Sequence, residues 1–331
     1  MKNRERSTRV TTDLLILFAA LAGGSVSHAE DPRAAKTAEV TILSSNLADG
    51  STVGEWGFSA LAEVDGKCVL FDTGNYADTV LRNIKALNVD LSCVTDIVLS
   101  HFHPDHVGGL VTLFEDTRAK NPNAMQRIHV AEGFFRPRRI VSKSGDAESN
   151  GMIALREQLE AEGAEFRVHS DPTEILPSIW VTGPIERKHA EKTYPTFIDV
   201  KIDGEWVVDY VPESQGLTIV TSEGPIVLLG CGHSGSVNLL EQVRRDIQDH
   251  SIHALMGGMH LYSATEETLD WTSSKLSNIG VQNLMAGHCT GVEPMFRLRA
   301  GLNLNRKTAV IGAVGSRFVL GEGIHPTDIA K

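Results

Sequence analysis

Apolar and polar positions along the chain repeat with two different periods. From residue 38 the pattern is that of strands: Glu39-Val-Thr-Ile-Leu43, then Phe58 to Val64 and Lys67 to Phe71, the last two joined by the turn pair Asp65-Gly66. Thr79 to Leu87 changes period, with Val80, Ile84 and Leu87 on one helical face. An apolar strand, Asp96-Ile-Val-Leu-Ser100, follows. Between 111 and 215 the signal weakens. Met152 to Glu162 predicts a helix and Ile179-Trp-Val181 a strand, whereas Phe134 to Arg139 and residues 183 to 215 read as loops near an entrance. Regularity returns with strands at 217–221 and 225–229, a helix over about 236–249 and a strand from Ile252 to Met256. A helix opened by a capping box, Ser263 with Glu266, comes next. The strand Gln282 to Met285, a last helix and two short strands around Val310 and Phe318 complete the chain. Hairpins first and strand–helix alternation later predict an α/β protein: two stacked mixed sheets with outer helices, a four-layer αββα sandwich whose strand ends converge on one edge.

The strand at 96–100 runs into "LSHFHPDHVGGL", residues 99–110, which places His101, His103, Asp105 and His106 within six positions. In an extended segment, residues two apart point the same way, so His101 and His103 address one point. Pro104 cannot continue a central strand; the turn it forces lets Asp105 and His106 address a second point nearby. Gly108-Gly109 supplies backbone freedom for tight turning as a helix begins. Nitrogen and oxygen donors of this kind suit Zn²⁺, and one ion needs about four ligands, so the hexapeptide leaves two sites incomplete. Three later apolar runs also end in glycine and histidine: Ile226-Val-Leu-Leu-Gly-Cys-Gly-His233, Ala254-Leu-Met-Gly-Gly-Met-His260 and Leu284-Met-Ala-Gly-His288. Glycine at a strand end lets the backbone approach something closely. The polar residues therefore collect where the sheets stop, around a pair of divalent metal ions. His129, His169, His189, His250, His253 and His325 lack this context and read as ordinary residues.

Charge and cysteine usage narrow the functional classes. Residues 1–29 combine Lys2, Arg4, Arg6 and Arg9, an apolar run from Leu14 to Ala22, and small residues around Ser27-His28-Ala29. That is the pattern of a signal peptide, implying export to a periplasm or the medium, with residues 30–37 a linker and 38–331 the folded domain. Without this segment the formal net charge moves from −11 to about −13. So acidic a surface argues against nucleic acid and anionic membranes as partners and for a small-molecule substrate. No apolar stretch reaches the ~20 residues that span a bilayer. The sequence leaves the oligomeric state open. Cys68, Cys93, Cys231 and Cys289 allow two disulfides in three pairings.

The H-x-H-x-D-H signature at a strand end, with Asp72-Thr73-Gly74 upstream and strand-end histidines downstream, resembles the metallo-β-lactamase superfamily of hydrolases. "LSHFHPDHVGGL", "LLGCGHSGSVN", "MGGMHL" and "AGHCTG" look like its dihydropterin ribofuranosylaminobenzene phosphate synthase-like branch, over about residues 39–320. The resemblance implies the αββα fold and a binuclear centre. It implies one metal held by His101, His103 and His233 and another by Asp105, His106 and His288, with Asp72 beneath them orienting a ligand or touching a metal. Relatives often carry a bridging aspartate where this chain has Cys231. Cys231 is then either a thiolate ligand or a small thiol packed behind the site.

On this reading the protein is a binuclear metal-dependent hydrolase, with zinc the first choice and manganese or iron the alternatives. A metal-bound hydroxide attacks phosphorus or a carbonyl carbon. Asp105 helps orient the nucleophile, and His260 protonates the leaving group or grips a phosphoryl oxygen. The branch resemblance points to a small phosphodiester. Hydrolysis of a lactone, lactam or carboxylic ester is the alternative, and a non-catalytic metal-dependent binding protein the alternative of another class. Arg136, Arg138, Arg139 and Lys143 either greet a phosphate at the mouth or form a solvated basic loop. Ser234-Gly235 and Thr290-Gly291 open helices whose N-termini either welcome anions or are simply capped.

Overall fold

The computed structural model describes residues 31–141 and 148–331; the signal-peptide segment and Lys143 lie outside them. The first half contains β1 (Ala38–Ser44), β2 (Ser59–Val64), β3 (Lys67–Phe71), α1 (Thr79–Leu87) and β4 (Val94–Val98). A single helical turn, α2 (Pro104–Val107), then α3 (Leu110–Lys120), β5 (Arg127–Ala131), β6 (Arg138–Ile140), α4 (Met152–Ala161) and β7 (Glu165–His169) follow. Next come β8 (Thr173–Leu176), β9 (Ile179–Val181), β10 (Ile198–Ile202), β11 (Glu205–Val208), β12 (Gly216–Ile219) and β13 (Ile226–Leu229). The last part alternates: α5 (Ser236–Asp246), β14 (Ala254–Gly257), α6 (Glu266–Ile279), β15 (Leu284–Ala286), α7 (Val292–Gly301), β16 (Ala309–Ile311), β17 (Arg317–Val319) and β18 (Gly323–His325).

Two large mixed sheets form, ordered β18-β17-β1-β2-β3-β4-β5-β7 and β16-β15-β14-β13-β12-β9-β8. Three apolar layers hold them. Val40, Phe58, Phe71, Val98, Leu217, Leu228 and Met256 pack between the sheets. Ile97, Leu113 and Ile128 pack the first sheet under α1 and α3, and Val227, Leu240, Leu276 and Leu298 pack the second under α5, α6 and α7. This is the expected αββα sandwich. The parallel strands are buried on both faces and so read as continuous apolar runs. Their register decides where the site is: Leu229 pairs with Gly257, and Gly257 with Ala286, so β13, β14 and β15 stop level with one another.

Four expectations change. The stretches read as entrance loops contain a third sheet, β11-β10-β6. Its strands are short, mostly half-buried or exposed, so no buried face wrote a clear period into the sequence. Strands β5, β7 and β8 and the terminal β18 also escaped the pattern. The cap of α6 is Thr265, whose side chain accepts from the Thr268 backbone N–H, not the Ser263–Glu266 box. Gly108 and Gly109 have ordinary negative φ, −63° and −88°. Gly108 is needed for closeness instead of freedom: a Cβ there would lie 1.8 Å from the Asn75 carbonyl oxygen. Cys68 and Cys93 form a disulfide, while Cys231 and Cys289 are free and buried. Ala35, just before β1, is already bridged to Thr221, just after β12. Among the described residues no helix is long and apolar enough to cross a membrane.

Candidate metal centre

The centre sits at the carboxyl ends of β4, β13, β14 and β15, the usual place for a ligand in an open parallel sheet. His101, His103 and His233 point ligand atoms at one place, and Asp105, His106, Cys231 and His288 at another; within each group the atoms lie within 4.8 Å of one another. His103 Nδ1 is 3.0 Å from His101 Nε2 and 3.2 Å from His233 Nε2. In the mixed group, Cys231 Sγ is 3.1 Å from His106 Nε2 and 3.2 Å from His288 Nε2. Asp105 Oδ2 is 3.3 Å from His288 Nε2 and 3.6 Å from His106 Nε2. The chain thus brings together all six residues expected to hold metal, from stretches more than 180 residues apart.

The second nitrogen of most of these rings is anchored, which fixes the ring and leaves the other nitrogen's lone pair for the centre. His106 Nδ1 donates to Asp72 Oδ2 at 2.7 Å. Asp72 is fully buried, has φ +55°, and accepts from both the backbone N–H and the hydroxyl of Ser100 at 2.7 Å. His101 Nδ1 lies 2.9 Å from the same Ser100 hydroxyl, and His233 Nδ1 bonds the Thr193 carbonyl oxygen. His260 and His288 both hold positive φ, 48° and 49°, a conformation that costs energy for a residue with a side chain. His260 lies tilted against His233 with ring centroids 4.7 Å apart.

Electrostatics match a cation site. Burial keeps His101 and His233 well below the ordinary imidazole value and takes His103 to about 3, so neutral rings face one another within the three-histidine group. Burial opposes an ionised Asp105, but His106, His288 and His103 outweigh it and hold the carboxyl well below its usual range. Burial also opposes a charged His288, yet the negative Cys289 and Asp105 beside it raise it to about 10, a mark of how strongly this spot favours positive charge. His103 Nε2 and His288 Nδ1 are buried without a partner. Imidazole, carboxylate and thiol donors in groups of three and four are of the kinds that hold divalent metal ions.

The groups floor a cavity of about 1320 Å³ walled by Trp56, Tyr194, Phe197, His260, Tyr262 and Trp271. Trp56 and Tyr262 are 47% and 54% exposed and meet edge to face at 5.7 Å. The third sheet contributes Ile140 and Ile198 to the wall. Two expectations about anion contacts fail. Arg138 is neither at the mouth nor solvated: it is fully buried, bonded to Asp209 and Glu213 and stacked 4.0 Å over Phe102, between two histidines of the centre. Arg139 pairs with Asp199. The N-terminus of α5 is taken by the chain's own Glu191 carboxylate, which accepts from the Val237 and Asn238 amides. Sequence reasoning missed Glu191 and Thr193 because they lie in a loop and act across it; the only trace of Cys289 was its place beside His288.

Residues 57–237 match the profile of the metallo-beta-lactamase superfamily. The chain belongs to that superfamily. A relative from Methanocaldococcus jannaschii, 7,8-dihydropterin-6-methyl-4-(beta-D-ribofuranosyl)-aminobenzene-5'-phosphate synthase, is 33% identical over 72% of this chain and 83% of its own length. An uncharacterized protein of the same organism is 26% identical over 78% of this chain and 93% of itself. Among solved structures, Tm1679, described as a metal-dependent hydrolase of the beta-lactamase superfamily, superposes with a TM-score of 0.65 at 24% identity, covering 81% of this chain and 94% of the other. YhfI of Bacillus subtilis, a metallo-beta-lactamase fold protein, gives 0.55 at 11% identity, over 86% and 99%. These two likenesses concern the fold.

Proposed function

We propose that the chain is a metal-dependent hydrolase holding two divalent ions, preferentially zinc, and cleaving a phosphodiester-type substrate. The observation that carries the proposal is the pair of ligand groups lying side by side on the floor of a deep cavity. His101, His103 and His233 would hold one ion, and Asp105, His106 and His288 the other. Such a pair supplies positive charge against a phosphoryl or carbonyl oxygen and makes solvent acidic enough to act as a nucleophile near neutral pH.

The chain's own groups do the rest. Asp72 and Ser100 fix the rings of His106 and His101, so the donor atoms need little rearrangement. Asp105, on the helical turn α2, faces both the mixed group and the cavity, where it can accept a hydrogen bond from attacking solvent. His260 lines the cavity beside His233, where its ring can pass a proton to a leaving oxygen. Trp56 and Tyr262 offer apolar surface to a substrate at the cavity wall. The phosphodiester choice draws on the phosphate ester named in the Methanocaldococcus relative and on Lys188 and Lys192 in the cavity wall. The cavity exceeds the ~300–1,000 Å³ of a typical ligand pocket, so it admits a substrate larger than a minimal phosphodiester. Export is proposed on the basic and apolar N-terminus, and the Cys68–Cys93 disulfide suits an oxidising compartment.

The test is metal analysis of the purified mature protein, followed by bis(p-nitrophenyl) phosphate, an acyl-homoserine lactone and a cephalosporin as substrates. We expect two ions per chain and turnover of the phosphodiester that chelation abolishes and zinc restores. Turnover of only the lactone or cephalosporin moves the substrate to a carboxylic derivative, and bound metal without hydrolysis moves the function to binding. Undiminished turnover after exhaustive chelation overturns the proposal altogether.

A further inference from the structure

A second constellation adjoins the centre. Cys231, Cys289 and His260 also direct ligand atoms to within 4.8 Å of one another. We propose that these three residues form a thiol-rich subsite for a soft cation, such as Cd²⁺, Cu⁺ or an additional Zn²⁺, with Cys231 as the ligand it shares with the Asp105–His106–His288 group. Cys231 is common to both groups, and a thiolate with several lone pairs can bridge two ions.

Donor chemistry supports it. Two buried thiols beside an imidazole make a set that soft ions favour over the nitrogen and oxygen donors next door. Two sulfurs bound to one ion at ~2.3 Å can stand at most ~4.6 Å apart, so the spread here needs only a small contraction. The surrounding backbone is shaped around the thiols. A Cβ on Gly258 would lie 2.7 Å from Cys289 Sγ, so the glycine leaves room for that sulfur. The His260 backbone N–H donates to Cys289 Sγ at 3.3 Å, and the positive φ of His260 turns this residue back over the sulfur. His260 Nδ1 is buried with no partner. Cys231, His260 and Cys289 all line the cavity, which gives an ion a route in. Neither Cys289 nor His260 belongs to the two metal groups assigned above; His260, placed there as the proton donor, would serve as a ligand instead when the subsite is filled.

The experiment loads the full mature protein with zinc, adds one equivalent of Cd²⁺, and counts sulfur neighbours by X-ray absorption at the cadmium edge. Two sulfurs on cadmium are expected. Cys289→Ser should leave one and weaken cadmium binding by at least the roughly 10–100-fold typical of losing an outer-shell partner. Zinc uptake at His101, His103 and His233 should be unchanged. Fewer than two sulfurs in the wild type, or no effect of the substitution, overturns the subsite. Alkylation of the unsubstituted protein guards against a misfolded variant: Cd²⁺ should shield both Cys231 and Cys289 from iodoacetamide, and labelling that ignores Cd²⁺ counts against the proposal. Two zinc ions bound through nitrogen and oxygen with no thiolate contact would sink this inference and leave the hydrolase standing. A protein that takes up no metal at all would sink both.

Discussion

Replacing Asp72 by asparagine tests whether the mixed group is a metal site set up from beneath. Asp72 is fully buried and accepts three hydrogen bonds, two from Ser100 and one from His106 Nδ1. Its φ of +55° suits asparagine, which tolerates this region better than most residues, so the backbone should keep its course. Asparagine can still accept from the Ser100 amide through its oxygen. Its NH₂ group then faces Ser100 Oγ and His106 Nδ1. An N–H cannot face an N–H, so His106 must either move away or take the tautomer with its proton on Nε2. That tautomer has no lone pair to offer beside Cys231 and His288. Losing such an outer-shell partner typically costs 10–100-fold in metal affinity, or about 1.4–2.7 kcal/mol. Competition against a chromophoric chelator should show one of the two ions weakened by that factor. The ion held by His101, His103 and His233 should remain, because Ser100 and Thr193 still anchor those rings. Two ions bound with wild-type affinity in Asp72→Asn would refute the reasoning, whatever happens to turnover.

Other predictions reach beyond the centre. Arg138→Met leaves Asp209 and Glu213 buried without their guanidinium; urea unfolding should show a loss of about 3–5 kcal/mol, and a loss under ~1 kcal/mol would mean the cluster is already neutral. Cutting the Cys68–Cys93 link, which closes a separation of 25 residues, should cost about 3.5 kcal/mol by loop entropy, read as a lower urea midpoint in Cys93→Ser; an unchanged midpoint refutes it. Burial, reinforced by His129, pushes His169 down to about 4 from the 6.5 of an ordinary imidazole. Between those values the unfolded chain binds a proton that the folded one does not. This contribution to stability is therefore present above pH 6.5 and lost as pH falls through about 4, and His169→Gln should flatten that limb of the urea midpoint against pH. Zinc at a hundredfold excess over its dissociation constant should stabilise the chain against unfolding by about 2.7 kcal/mol; a midpoint indifferent to zinc and to chelator would argue against any preformed site.

The sequence by itself determined the donor inventory and most of the frame. A histidine two residues from another in an extended run, a proline that ends the strand, and apolar runs closing in Gly-x-His or Gly-His are local signals, because strand and helix periods are written at short range. They marked His101, His103, Asp105, His106, His233 and His288 as candidate ligands and predicted the αββα class, which the fold shows. Tertiary structure decided what depends on register and on neighbours far along the chain. The level ends of β13, β14 and β15 put Cys231 against His106 and His288, which settles its contacts in a way its flanking residues do not. Arg138 looks like a solvated base in its own segment and is buried because Asp209 and Glu213, some 70 residues later, arrive to balance it. Thr193 and Glu191 act across a loop, on the His233 ring and the end of α5. Periodicity records which face of an element is buried; it carries no record of which distant group will meet that face, and the chemistry at this sheet edge is made of such meetings.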